Sequence, residues 1–408
     1  MSEAETAVVT EVLTTMLGTT PTADEVLSGT QDALVMARVL EILNKGTGVH
    51  SVAPGDDLQE AIDDLAEDGT GILHLQAGTF TLTSDITIPS GINLQGTGTS
   101  TIIDFDNGAY QFQIVGTDVY TTGTVSITPG STTVTGVSTV FYSGMVGEYI
   151  LLQDNWYEIV AVTDDTHLTI ISPYFGTTLS SATYVISTIV DGVEISGMTI
   201  KNSGTASIKI QYCLDVRIED VIFLTNTSPI DADDSSGLQI LNSRAFGNTT
   251  AFTFNNIHNT TWVNSGSFGC AGNGLELTSV RNCAFDVFAF EGNGGKGMVL
   301  TDVDNTGFDN FSVRGNVGIG VELVSGCTLG MSIGEISYNG SDGVKYTASN
   351  TRCILSNINL EQNGGYGVNI AASSNNMIVV SLNTFDSNAS GHINDLGTDT
   401  VLGPNGGI

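Results

Sequence analysis

The sequence predicts an all-β chain wound as a right-handed parallel β-helix, with a short N-terminal helical segment and an inserted small β-sandwich or barrel. Three observations carry this. A small residue opens a short apolar strand at Ala206, Ser228, Ala251, Gly274, Gly297, Gly320, Gly343, Gly367 and Gly391, at intervals of 22, 23, 23, 23, 23, 23, 24 and 24 residues. The strands that follow, such as GLEL, GMVL, GVEL and GVNI, mostly alternate with period two, and a second apolar strand (AFDVFAF, GFDNFSV, ILSNINL) precedes most of them. Turns rich in Asn and Gly lie between the two, and such a period of short strands and polar turns marks a solenoid. The composition agrees: 49 Gly against 7 Pro, with 40% hydrophobic residues in 408, suits a turn-rich chain with a large core.

Residues 1–48 read as a helical attachment or oligomerisation segment. Val8, Val9, Val12, Leu13 and Met16 form one apolar stripe; Val35, Val39 and Ile42 form another, between Thr30 as N-cap and Gly46 as stop. Residues 49–116 read as the β-helix cap and first coils. In GDDLQEAIDDLAEDG, Asp56 or Asp57 caps a helix that places Leu58, Ile62 and Leu65 on one face and stops at Gly69. A helix there covers the open end of the first coil. Residues 117–187 break the period into short strands with hairpin turns, the inserted β domain. Residues 188–408 continue the β-helix into a C-terminal tail, with Leu275, Met298, Val321, Val344 and Val368 expected as one inward column.

The formal G-x-G-x-x-G at 292–297 belongs to this repeat. A nucleotide fingerprint follows a strand and opens a helix, whereas this one opens the strand MVL, and its siblings lack the spacing. Its glycines supply corner conformations.

The run LQEAID…GTGILHLQAGTFTLTSDITIPSGINLQGTG resembles the start of the pectate-lyase-like β-helix superfamily, shared by polysaccharide lyases, polygalacturonases and viral tailspikes. The resemblance spans 52–110 and 188–395 and implies the fold; that fold hosts both enzymes and inert stalks. Within the insert, TVSITPGSTTVTG, GMVGEYI and NWYEIVAVTDDTHLTI resemble a small β module of tail and capsid-associated proteins of bacterial viruses. That likeness implies a virion. In tailspike-like proteins the N-terminal segment is an attachment device, which implies a homotrimer that docks other virion proteins through residues 1–45.

Charge narrows the partners. Forty-four acidic residues against 11 basic ones give −33, which disfavours nucleic acid and anionic membranes. Five Lys in 408 residues point to a salt-loving host, because molar salt shortens the screening length to about 3 Å. No run approaches the ~20 apolar residues of a membrane span, and Glu3 and Glu5 stand where a secretory signal would carry Lys or Arg, so no signal peptide is expected.

Chemistry is sparse. Two positions after the aligned small residue the column reads Thr253, Glu276, Val299, Glu322, Lys345, Asn369. Glu276 and Glu322 are the only catalytic candidates, a carboxylate pair two coils and so roughly 10 Å apart; a solvent-facing strand position gives the same pattern without catalysis. Asp231, Asp233 and Asp234 in IDADDSSG are the only metal candidates, through oxygen ligands, against a solvated turn. No cofactor is expected. Five Cys without C-x-x-C argue against zinc and a disulfide framework, and Cys213, Cys283, Cys327 and Cys353 fall at near-equivalent coil positions as a buried column. The resulting expectation is a non-enzymatic virion spike or fibre of a tailed virus that attaches to a host-surface glycan or glycoprotein, assembled in the host cytoplasm and acting outside it. The alternatives are a tailspike glycan hydrolase or lyase and a secreted polysaccharide lyase.

Overall fold

The computed structural model describes residues 49–373 and 375–407. The expected helical segment at 1–48 lies outside the described residues. The rest is the right-handed parallel β-helix that the repeat predicts. A 17-stranded and a 13-stranded sheet run along it, each strand pairing in parallel with its counterpart one coil away. The expected inward column is one continuous register, Leu275↔Met298↔Val321↔Val344↔Val368, and all five side chains are buried. Period-two alternation does this: with every second side chain inward, stacked coils lay like positions over like.

The larger sheet is creased lengthwise. Single left-handed residues sit at equivalent positions on successive coils: Gly197 (φ 64°), Asp220 (53°), Asn242 (51°) and Asn264 (51°). Asn and Asp tolerate this conformation far better than other non-glycine residues. The crease divides each long strand into two segments, and the site described below lies along it.

At the N-terminal end a helix runs Leu58–Glu67. The Asp57 side chain caps it by accepting from the amides of Gln59 (3.0 Å) and Glu60 (3.1 Å), and Leu58, Ile62 and Leu65 are buried. Residues 124–187 form a separate seven-stranded antiparallel sheet with its own core, including Val125, Ile150, Tyr157 and Ile186. Its two edge strands, Leu179–Ala182 and Val185–Ser187, are almost contiguous in sequence, so the sheet rolls into a small barrel. The excursion leaves the stack intact, because Glu194–Lys201 pairs directly with Ile92–Gln95 and Thr101–Asp104. At the neck the Thr117 amide donates to Thr188 Oγ1 at 2.7 Å, and a Cβ on Gly116 would meet the Thr188 carbonyl at 2.0 Å.

A buried asparagine ladder runs along one corner. The amide of Asn226 donates to Asn248 Oδ1 (2.8 Å), that of Cys270 to Asn293 (3.1 Å), and Asn293, Asn316, Asn339 and Asn363 each donate to the next, ending at Asn388. Side-chain amides repeat the links from Asn293 onward at 2.9–3.0 Å. Cys270 takes the place of Asn in this column, and its thiol lies 4.0 Å from Asn248 Nδ2. All five thiols are free and buried. They do not form the single column expected. Following the strand registers, Cys213 and Cys327 share a line with Ser235, Ile257 and Val303, while Cys283 and Cys353 lie two residues on, in line with Thr306 and Leu329. Inward positions recur every two residues, so both lines face the core.

Asn316→Ala removes the acceptor of both the Asn293 amide and its side chain. With two buried donors unsatisfied, the fold is expected to lose about 2–4 kcal/mol, read as a lowered denaturation midpoint. Cys270→Asn restores the missing rung and is expected to raise it.

Candidate functional site

The sequence-derived candidates are placed as follows. Glu276 and Glu322 share the expected outward column, two coils apart with Val299 between them. Glu276 accepts from Asn273 Nδ2 at 2.7 Å. Glu322, nearly buried, is ion-paired with Lys296, and its other oxygen accepts from Thr347 Oγ1 at 3.0 Å. Both oxygens of this carboxylate are thus occupied by partners within the fold.

The three aspartates also have separate partners. Asp231 pairs with Lys209 at 2.9 Å, Asp233 accepts from Asn255 at 2.8 Å, and Asp234 accepts from Asn256 at 2.5 Å. Among the described residues no three His, Cys, Asp or Glu side chains converge as a cation cage. This cluster instead faces the insert. Asp234 and Asn256 line a pocket of about 390 Å³ with Leu151, Gln153 and Tyr184, and Trp156 meets Tyr212 edge-on at 6.1 Å.

Burial first, and then the neighbouring Asp234, raise the Asp233 carboxyl above its ordinary 3.8. A raised folded-state carboxyl is a cost to folding at neutral pH, and the cost disappears as pH falls through the raised value. Asp233→Asn is therefore expected to stabilise the protein at pH 7. The gain fades on acidification and is gone below the ordinary value of 3.8, as pH-dependent denaturation would show.

A larger cleft lies elsewhere, along the crease near the first coils. It encloses about 590 Å³. One wall carries Gln95, Glu194 and Glu219, the crease itself contributes Gly197, Asp220 and Asn242, and the opposite wall carries Ile222 and Arg244. The loop Gly98–Ser100 closes one end. Glycine is required at the floor, because a Cβ on Gly96 would meet the Gly197 carbonyl at 2.3 Å. Beside the acidic wall, Arg217 donates from Nε (2.9 Å) and Nη2 (2.5 Å) to one oxygen of Glu219 and lies 3.9 Å from Glu194. The Glu219 contact, with the nearby acids, holds the guanidinium pKa above its ordinary value. Arg244, exposed on the far wall, has no hydrogen-bond or ion-pair partner among the described residues.

Sequence reasoning missed this cleft. It followed the Gly-headed strands, whereas the cleft is built by the preceding strands VEISG and VRIED and by residues 95–99, which the insert separates by about a hundred positions. The available signal was a lone Arg in RAF, in a chain where bases are rare.

Acidic, amide and guanidinium groups around a small-residue floor supply both donors and acceptors, the requirement for hydroxyl-rich ligands.

No family model and no curated protein matches this sequence. Solved structures do. The mannuronan C-5 epimerase AlgE6 A-module of Azotobacter vinelandii aligns with a TM-score of 0.50 at 16% identity, over 85% of this chain and 94% of that one. The tailspike gp49 of Pseudomonas phage LKA1 aligns at 0.48 and 14%, over 86% and 74%. The tailspike gp61 of Pseudomonas phage phi297 aligns at 0.46 and 12%, over 85% and 67%. At such identities the likeness to the epimerase module speaks to architecture alone, and it establishes that this chain has the parallel β-helix fold.

Proposed function

We propose that the chain is a non-enzymatic attachment spike of a tailed virus, which holds a host-surface glycan in the crease cleft. The observation that carries the reading is the cleft itself, an elongated, hydroxyl-matching groove on the outside of a rigid solenoid. Rigid placement matters because a preformed site spends less of its contact energy on ordering. The charge pattern favours binding over cleavage. A glycan hydrolase needs one carboxyl kept neutral as an acid near a second carboxylate. Glu194 and Glu219 flank Arg217, and Glu322 holds Lys296, so each of these carboxylates already has a cationic neighbour. The virion assignment draws on the insert's resemblance to tail-associated modules.

Incubation with host-surface polysaccharide is expected to give saturable binding with no new chain ends. Accumulation of reducing or unsaturated ends would replace this reading with the cleaving spike.

The same proposal includes a homotrimer and a salt-loving host. Asp286 and Asp309 stand directly opposite on adjacent coils, about 4.8 Å apart, and like charges so placed destabilise a sheet. With −33 overall, screening is expected to raise the thermal midpoint steadily from about 0.1 M toward molar NaCl or KCl. Sedimentation across the same series is expected to show a trimer. A midpoint indifferent to salt would return the acidity to solubility alone, and a monomer at high concentration would remove the trimer.

A further inference from the structure

We propose that the cleft's ligand carries an anionic sugar residue, whose charged group pairs with Arg244 while a neighbouring ring stacks on Phe246 and Phe268. This rests on the reading of the cleft as a glycan site and names the class of ligand.

Bases in this chain are mostly spoken for. Lys201, Lys209, Arg217, Arg281 and Lys296 each have a carboxylate within 4 Å, and Arg314 lies over the Tyr338 ring at 5.6 Å. Arg244, Lys345 and Arg352 have no such partner among the described residues, and of the three Arg244 is the one exposed in this cleft wall. In register its neighbours are Ile222 on one coil and Gly266 on the next. Gly266 must stay glycine, since a Cβ there would meet the Ala289 carbonyl at 1.9 Å. The position directly in register with Arg244 on that coil therefore carries no side chain.

Two residues on, along the same outward face, Phe246 is 37% exposed and stacks on Phe268 with centroids 5.2 Å apart and planes 22° from parallel. Leu224 is in register with Phe246. The face formed by Ile222, Leu224, Arg244, Phe246 and Phe268 thus holds no acid, in a chain with 44 of them. Arg244 and Phe246 are about 6.6 Å apart along the strand, comparable to one step between sugar rings. A planar guanidinium fork matches a carboxylate or a sulfate, and an aromatic platform suits the apolar face of a pyranose. The opposite wall, with Glu194, Glu219 and Asp220, is left to accept from hydroxyls.

The test uses the full chain and matched oligosaccharides of neutral hexose, hexuronate and sulfated hexose, titrated at one fixed ionic strength. The anionic members are expected to bind at least about tenfold tighter than the neutral one, and the hexuronate and sulfate arms identify which anion is read. Arg244→Gln is expected to abolish that preference, weakening the anionic members far more than the neutral one, and Arg244→Lys to retain part of it. Phe246→Ala is expected to weaken every member. Equal binding of neutral and anionic ligands, with Arg244→Gln silent, overturns the inference and leaves the glycan cleft standing. Absence of binding by all three overturns both. Should Phe246→Ala change the sedimentation coefficient and leave glycan affinity alone, the face belongs to a contact between copies, and the inference fails.

Discussion

A solenoid has to turn its backbone at every corner without stranding polar groups inside, and this constraint governs the rest of the structure. A buried N–H without an acceptor costs about 1–3 kcal/mol, and a repeating corner multiplies the cost. The asparagine ladder answers it: Asn316, Asn339 and Asn363 each accept from the Asn of one adjoining coil and donate to that of the other, between Asn293 and Asn388 at the ends. The ladder works only when coils keep register, so corner and register stabilise each other. Cys270 shows how one position tolerates loss of the side-chain amide, because its backbone N–H still reaches Asn293.

The same stacking explains how a whole domain fits into the chain. Since each coil is held by its neighbours, residues 117–187 can leave and return at one point, provided the two strands of the neck come within hydrogen-bonding distance. The barrel carries its own core and adds a packed edge through Trp156 and Tyr212. Asp234 lines the pocket at this junction, and burial works against the charge of its neighbour Asp233. The acidic cluster is thus a feature of domain docking, with separate partners for each carboxylate.

Charge scarcity gives each base a distinct meaning. With 11 Lys and Arg against 44 acids, a base paired to a carboxylate within or between coils relieves repulsion. Lys296 with Glu322 and Arg217 with Glu219 are of this kind. Among the described residues Arg244, Lys345 and Arg352 stand outside the pattern, and of these Arg244 lines the cleft along the crease.

The sequence by itself determined what the core imposes. Alternation and a 23-residue period dictate which side chains point inward, so the column from Leu275 to Val368, the outward column of Glu276 and Glu322, and the capping helix beginning at Leu58 were all legible. The ladder was legible too, as an Asn four residues before Gly297, Gly320, Gly343 and Gly367, although the sequence reading took these asparagines for turn residues. The thiols were placed on the correct face but merged into one line, because offsets of 14 to 16 residues from the following small residue were read as one position, and the register shifts where Asp304 faces Thr328 but Thr306 faces Leu329. Only the tertiary structure decided the cleft. Outward side chains obey no periodic rule, since water accepts any polar residue, and Gln95 meets Ser196 only because the insert closes on its own neck and the next coil lands on the one before it.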